Sequence, residues 1–338
     1  LAESLLAAYR ADAEALASRG VASRRDIDTA MRLGAGYPVG PFGTDITPDA
    51  ADGASGERPW QRVAVLGTGR MASGIAEALA RAGTVTTVIG RSDQAVARAE
   101  TAITRGLERS VQRGRLTADD VDSVAQRLAF VPSLDSLPEV DLVIEAVSEH
   151  LATKQSLLED VALRSAPDAV LATNTSSFRV AEVMRRVPES RPTLALHFFN
   201  PATAMKLVEI VSGPGGDAAA ATATTWVRSI GKVPVDSADT RGFIVNRLLI
   251  PYLNDAVRRH EEGESIDRID AAMVQAGLPM GPFALLDMIG LDVAVAALDS
   301  MADTDPDPRL RPRRILRDLV AQGRLGRKSG GGFYSEGS

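Results

Sequence analysis

His197 and Glu209 stand near the two ends of an otherwise largely apolar run, residues 195–210, ALHFFNPATAMKLVEI. An imidazole titrates near neutral pH, so a histidine here can take a proton from an alcohol while a cofactor takes the hydride. A carboxylate on its other ring nitrogen fixes the tautomer and stabilises the imidazolium as it forms. Flanking hydrophobic strands are what would hold such a pair. Taken alone, a histidine among apolar residues is more often a satisfied core residue, so the pair gains weight only if the rest of the chain supplies a cofactor site. His150 and His260 have neighbours but no constellation, and read as structural.

A cofactor site is written into residues 67–74, GTGRMASG. They follow the β-branched run at 62–66 and precede the helical spacing of Ile75, Leu79 and Ala80, a strand, turn and helix context in which a G-x-G-x-x-G-like loop points to a dinucleotide. Gly67 allows the sharp turn. Gly69 lets the backbone approach a pyrophosphate at the helix N-terminus, with Arg70, Met71 and Gly74 completing the loop, and the third position needs only a small residue, here Ala72. At the end of the next strand the chain reads VIGRSD, residues 88–93. NAD sites place Asp or Glu there for the ribose hydroxyls, whereas Gly90 carries no charge and Arg91 with Ser92 can bind an added phosphate. The expectation is NADP. In the alternative, NAD, Arg91 is an exposed loop cation and Asp93 serves the ribose.

Further segments are NTSS (174–177), EAVSEHLATK (145–154), DTRGFIVNRLL (239–249) and KSGGGFY (328–334). With the run at 195–210, and spaced across residues 62–334, they resemble the L-3-hydroxyacyl-CoA dehydrogenase family. The resemblance makes His197 the general acid/base, Glu209 its orienting partner, and Ser176 and Asn246 the donors to the reacting oxygen, Asn246 from across the cleft. It puts Asn174, Ala146, Val147, Glu149 and Lys154 beside the cofactor, Asn200 near the thioester arm, and Ser110 and Arg113, in ERSVQRGR with Arg115, near the CoA phosphates. Two departures stand out: Gly90 replaces the usual aspartate, and Arg241 replaces a proline before Gly242. The implied reaction interconverts a short-chain 3-hydroxyacyl-CoA and 3-ketoacyl-CoA. Alternatives are a same-fold dehydrogenase of a sugar acid or a carrier-bound acyl group, and a non-catalytic cofactor-binding structural protein. Retention of Ser176, His197, Glu209 and Asn246 together argues against lost catalysis.

The elements that must position these groups follow from hydrophobic periodicity. Strand-like runs at 62–66, 85–89, 141–147, 169–173 and 193–197 alternate with helical segments, implying a Rossmann-type doubly wound parallel sheet. From Gly242 the pattern turns helical, at 243–260, 266–275 and 315–322, and predicts an all-α domain. The expected boundaries are a helical segment at 1–42, a Gly/Pro/Asp-rich linker at 43–59, a dinucleotide-binding domain at 60–241 and a helical substrate and dimerisation domain at 242–338. The first segment is a repeat: residues 23–42, SRRDIDTAMRLGAGYPVGPF, echo residues 265–283, SIDRIDAAMVQAGLPMGPF, and Tyr9 and Ala13 sit where Tyr252 and Ala256 sit. Only the second copy continues into LLDMIGLD (285–292). By the resemblance this domain type forms the subunit interface, so the expected assembly is a homodimer or a pseudo-dimer through the repeated segment; the alternative is that residues 1–42 are a relic of a tandem protein.

A net charge of −6 argues against nucleic acid or an anionic membrane as partner. The chain has no cysteine, which removes disulfides, thiol catalysis and cysteine-ligated metals, and fits a reducing compartment; the cytoplasm is expected. No signal peptide or membrane span is expected from the sequence.

Overall fold

The computed structural model describes residues 1–44 and 58–335, so most of the linker expected at 43–59 lies outside the described residues. The chain divides into two compact units, one comprising Leu1–Ile46 with Thr240–Ser338, the other Thr47–Asp239. Among the described residues no helix is long and apolar enough to cross a membrane.

Helices are numbered in chain order, and α1 (Ala2–Ser18) and α2 (Arg24–Gly34) open the first unit. In the Thr47–Asp239 unit, strands β1 (Arg62–Leu66), β2 (Val85–Ile89), β3 (Leu128–Val131), β4 (Leu142–Glu145), β5 (Val170–Thr173), β6 (Thr193–Phe198), β7 (Leu207–Ser212) and β8 (Val233–Ser237) form one sheet, in the order β3-β2-β1-β4-β5-β6-β7-β8. Between them run α3 (Arg70–Arg81), α4 (Asp93–Gln112), α5 (Ala118–Ala125), α6 (Leu151–Arg164), α7 (Val180–Val183) and α8 (Asp217–Ser229). β4, β5 and β6 are buried along their whole length, so both faces of the sheet are covered there and their sequences show no alternation. The chain builds outward from β1 through β2 to β3, then returns to build β4, β5 and β6 on the other side. The reversal between β1 and β4 is where α/β sheets bind ligands. Trp60 and Trp226 anchor the core, their rings 5.4 Å apart and the Trp226 indole donating to the Trp60 carbonyl.

The sheet is not parallel throughout, as the sequence led us to expect. β7 runs antiparallel to β6, and β8 runs with β7. The reason is the connection at 199–206, which is too short for the helical crossover that a parallel neighbour needs.

The helical unit is centred on α9 (Val245–Glu261), followed by α10 (Ile266–Gln275), α11 (Pro282–Ile289), α12 (Leu291–Ala302) and α13 (Arg314–Ala321). Helices α1 and α2 pack in the same unit, with α1 against α9. Leu5, Tyr9, Ile27 and Met31 are buried, as docking of the first repeat requires, and Leu6 is half-buried.

Candidate active site

Strands β6 and β7 place His197 directly opposite Glu209. Directly opposed residues bring their Cβ atoms to about 5 Å, and here the histidine Nδ1 lies 2.5 Å from Glu209 Oε2. Both are buried, Glu209 completely. A carboxylate only accepts, so Nδ1 carries the proton and, in the neutral ring, Nε2 is the basic nitrogen. The Phe199 ring packs on the imidazole at 4.4 Å between centroids.

Asn174, just past β5, accepts a hydrogen bond from Phe198 N through Oδ1 at 2.8 Å, tying the NTSS turn to the strand that carries His197. The turn itself is gathered by Glu149. One of its carboxylate oxygens accepts from Ser176 N and Ser177 N, both at 3.2 Å, and from the Thr175 hydroxyl. Glu149 is in turn held by Lys154 at 3.0 Å. Lys154, on α6, is only 1% exposed and also binds both oxygens of fully buried Glu145, at 2.8 and 3.0 Å. Glu145 further accepts from Val147 N and the Thr173 hydroxyl, both at 2.7 Å. The sequence suggested Glu149 and Lys154 as cofactor neighbours; their contacts within the protein brace the turn bearing Ser176. Glu145 and Thr175 were not singled out as candidates. Their signal was slight: a carboxylate closing the apolar strand LVIE, and a threonine inside NTSS.

The dinucleotide loop has the backbone that its sequence demands. Gly67 has φ +119°, and a Cβ there would lie 2.8 Å from the carbonyl oxygen of Ala146. Gly69 is the N-cap of α3, and a Cβ on it would meet no protein atom within 4 Å, which leaves the helix N-terminus open to a phosphate. Arg70 is exposed and Met71 half-buried beside it, and Ala72 is fully buried against Gly67. Gly74 lies inside α3, where a Cβ would pack 3.5 Å from that of Ala202 in the β6–β7 connection. Ala146 and Val147 follow β4, with Ala146 N bonded to Leu66 O, so the β1 and β4 ends meet at the strand-order reversal. These residues fit a bound dinucleotide. After β2 come Gly90, exposed Arg91 and Ser92, which caps α4 by accepting from Ala95 N. A Cβ at Gly90 would sit 2.7 Å from Val96 Cγ1 and 2.9 Å from Thr68 Cγ2, so the position is closed to an acidic side chain unless those neighbours move.

Other expected residues lie elsewhere. Asn200 is exposed in the turn after β6. Ser110 and Arg113 are at the far end of α4 from Ser92; the Ser110 hydroxyl accepts from Arg81 at 2.6 Å and donates to Gly106 O, while Arg113 is exposed. Asn246 belongs to the helical unit, in the first turn of α9, which the chain enters through Gly242 (φ +82°) and Phe243 (φ +44°). Arg241, the departure before that turn, donates to Ser300 O at 2.6 Å and pairs with Asp303. The β6–β7 connection is fastened by Lys232, which donates to Ala202 O and Met205 O at 2.6 and 2.7 Å. Burial, and then the charge of Lys206, push the Lys232 ammonium down to about 8.

Comparison with known proteins matches residues 62–240 to the family described as 3-hydroxyacyl-CoA dehydrogenase, NAD binding domain, and residues 1–49 and 242–336 to the 3-hydroxyacyl-CoA dehydrogenase, C-terminal domain. The chain is similar to a 3-hydroxybutyryl-CoA dehydrogenase of Mycobacterium tuberculosis, 41% identical over 281 residues that cover 81% of this chain and 98% of that protein. It is similar in structure to the (S)-3-hydroxybutyryl-CoA dehydrogenase of Ralstonia eutropha, with TM-score 0.78, 34% identity, and 82% of this chain and 99% of that one covered. The dehydrogenase part of multifunctional enzyme 1 from C. elegans covers 93% of this chain and 70% of that one, at TM-score 0.56 and 26% identity.

Proposed function

The chain belongs to the 3-hydroxyacyl-CoA dehydrogenase family, and we propose that it interconverts a short-chain L-3-hydroxyacyl-CoA, such as 3-hydroxybutyryl-CoA, and the matching 3-ketoacyl-CoA. The observation that carries this reading is the buried His197–Glu209 pair in register across β6 and β7. A nicotinamide cofactor, when bound, exchanges the hydride with C3 of the acyl group. In the oxidative direction His197 removes the C3 hydroxyl proton through Nε2, and in the reductive direction it returns that proton to the ketone oxygen. Glu209 keeps the other ring nitrogen protonated and stabilises the imidazolium while it exists. Ser176 and Asn246 donate to the oxygen on which charge develops. Glu149, braced by Lys154, holds the turn of Ser176 in shape. Asn200 meets the thioester arm, and Ser110 and Arg113, with Arg81 beside them, meet the CoA phosphates.

Gly67, Gly69, Arg70, Met71, Gly74, Ala146, Val147 and Asn174 hold the dinucleotide, with Glu149 and Lys154 beside it, and its ribose end is read by Gly90, Arg91 and Ser92. The cofactor is NADP. Support comes from the missing carboxylate at Gly90, the packing that closes that position to one, and the guanidinium at Arg91 that can bind a 2′-phosphate bidentately. The test is acetoacetyl-CoA-dependent oxidation of NADPH and NADH side by side, in the wild type and in Arg91→Ala. Higher kcat/KM with NADPH is expected, and a loss in Arg91→Ala that falls far more heavily on NADPH. An equal loss with both cofactors would remove Arg91 from this role.

A further inference from the structure

The catalytic pair and Asn200 are held in different ways. His197 and Glu209 sit inside a ladder of five opposed residue pairs, from Leu194 with Ser212 to Phe198 with Val208, so the strands fix their register. Asn200 lies two residues beyond the last of those pairs. Its place is set by the connection at 199–206, outside the ladder.

That connection is wound on one carbonyl and clasped by one side chain. Pro201 O accepts from Ala204 N and Met205 N at 3.0 and 2.9 Å. Lys232 Nζ donates to Ala202 O and Met205 O at 2.6 and 2.7 Å, so a single ammonium spans the turn. The same ammonium lies 5.9 Å from the centre of the ring of Phe198, the residue after His197. The lysine stands on a fixed base: Lys232 N donates to Val227 O of α8, and Val233 N, opening β8, donates to Lys206 O. Ala202 is itself buried against α3, in line with Gly74. Burying an ammonium here carries a desolvation cost, which the lowered value of about 8 records. A methionine of similar length would fill the same space without that cost, so what the amine adds is its donors.

We propose that Lys232 is a positioning residue for the acyl-CoA substrate: by holding the Ala202 and Met205 carbonyls it sets the shape of the β6–β7 connection and so aims Asn200 at the thioester arm. The role rests on the acyl-CoA reading above and deepens it. The test is steady-state kinetics of acetoacetyl-CoA reduction by the wild type, Lys232→Met, Lys232→Arg, Asn200→Ala and the double variant Lys232→Met with Asn200→Ala. A misplaced Asn200 weakens ground-state and transition-state binding alike, so in Lys232→Met the KM for acetoacetyl-CoA should rise roughly three- to tenfold, with kcat within about twofold and the cofactor KM unchanged. Lys232→Arg keeps a cation with several donors, beside a cavity bounded by Arg81, Thr203 and Lys206, and should recover most of the loss. In the Asn200→Ala background Lys232→Met should add little, because the group it aims is gone. A purely structural lysine would lower stability and leave this KM at its wild-type value, or add its full effect to that of Asn200→Ala; either result overturns the proposal. If Lys232→Met does not fold, Lys232→Gln takes its place in the same cycle and is read the same way, since its shorter amide cannot span both carbonyls. Absence of turnover by the wild type would instead remove the acyl-CoA reading, and this role with it.

Discussion

Glu209 orients and His197 transfers the proton, so their replacements should fail differently. Glu209→Gln keeps a hydrogen-bonding oxygen but loses the charge that stabilises the imidazolium; kcat should fall about tenfold or more, yet less than the ~10²-fold expected on removing a general acid/base, with KM little changed. Steady-state kinetics decide it, and a variant with wild-type kcat would leave Glu209 without this role. Lys232 makes a pH prediction. Its folded-state value, about 8 against an ordinary 10.5, means the folded protein holds the proton less tightly than the unfolded chain. The ammonium therefore opposes folding below about pH 8, and the penalty fades as pH rises from about 8 to about 10.5, where a neutral amine still has two protons for the Ala202 and Met205 carbonyls. Relative to Lys232→Met, the wild-type Tm should gain between pH 7.5 and 10; a constant difference would contradict this. His197 and Glu209 were legible because the dinucleotide loop and the family resemblance gave weight to a pair that, taken alone, reads as a satisfied core histidine and a nearby carboxylate. Glu145 was not, since nothing in its spacing from Lys154 tells a reader that strand end and helix close on one another.

The Glu145–Lys154–Glu149 brace ties β4 and α6 to the turn after β5. Lys154→Met would leave Glu145 buried without its cation, a loss of roughly 3–5 kcal/mol. Lys154→Met combined with Glu145→Gln should recover part of it, because the uncompensated charge is gone. Urea unfolding of both variants and of Glu145→Gln gives the cycle, and strict additivity would mean that the two groups do not depend on each other. At this scale the sequence yielded β1 and β2 to the residue, and β4, β5 and β6 within a few. It did not yield β3 or β8. β3 is a four-residue edge strand, and β8 reads VPVDS, where proline argues against a strand unless it lies at an edge, as β8 does. The reversal at β7 was missed for a different reason: apolar content shows that a strand exists, whereas its direction is set by the length of the connection at 199–206.

At the scale of the molecule, the two-unit plan and the repeat were readable because each rests on long patterns, alternating strands and helices in one case and some twenty matched positions in the other. Docking of the first copy beside the second was one of the two readings the sequence left open, because choosing between them depends on the packing of α1 on α9, which pattern alone does not give. The division at Asp239–Thr240 falls beside the change from alternating to helical pattern. Function joins the scales, because the brace and the cofactor loop matter only if the chain turns over a 3-ketoacyl thioester. The most direct measurement is the initial rate of acetoacetyl-CoA-dependent NADPH and NADH oxidation by the wild type and by His197→Gln, with cofactor binding followed by fluorescence. We expect clear turnover by the wild type and a loss of about 10²-fold or more in the variant, with cofactor binding nearly unchanged. No acetoacetyl-CoA-dependent oxidation by the wild type, or wild-type-like turnover by His197→Gln, would contradict the account.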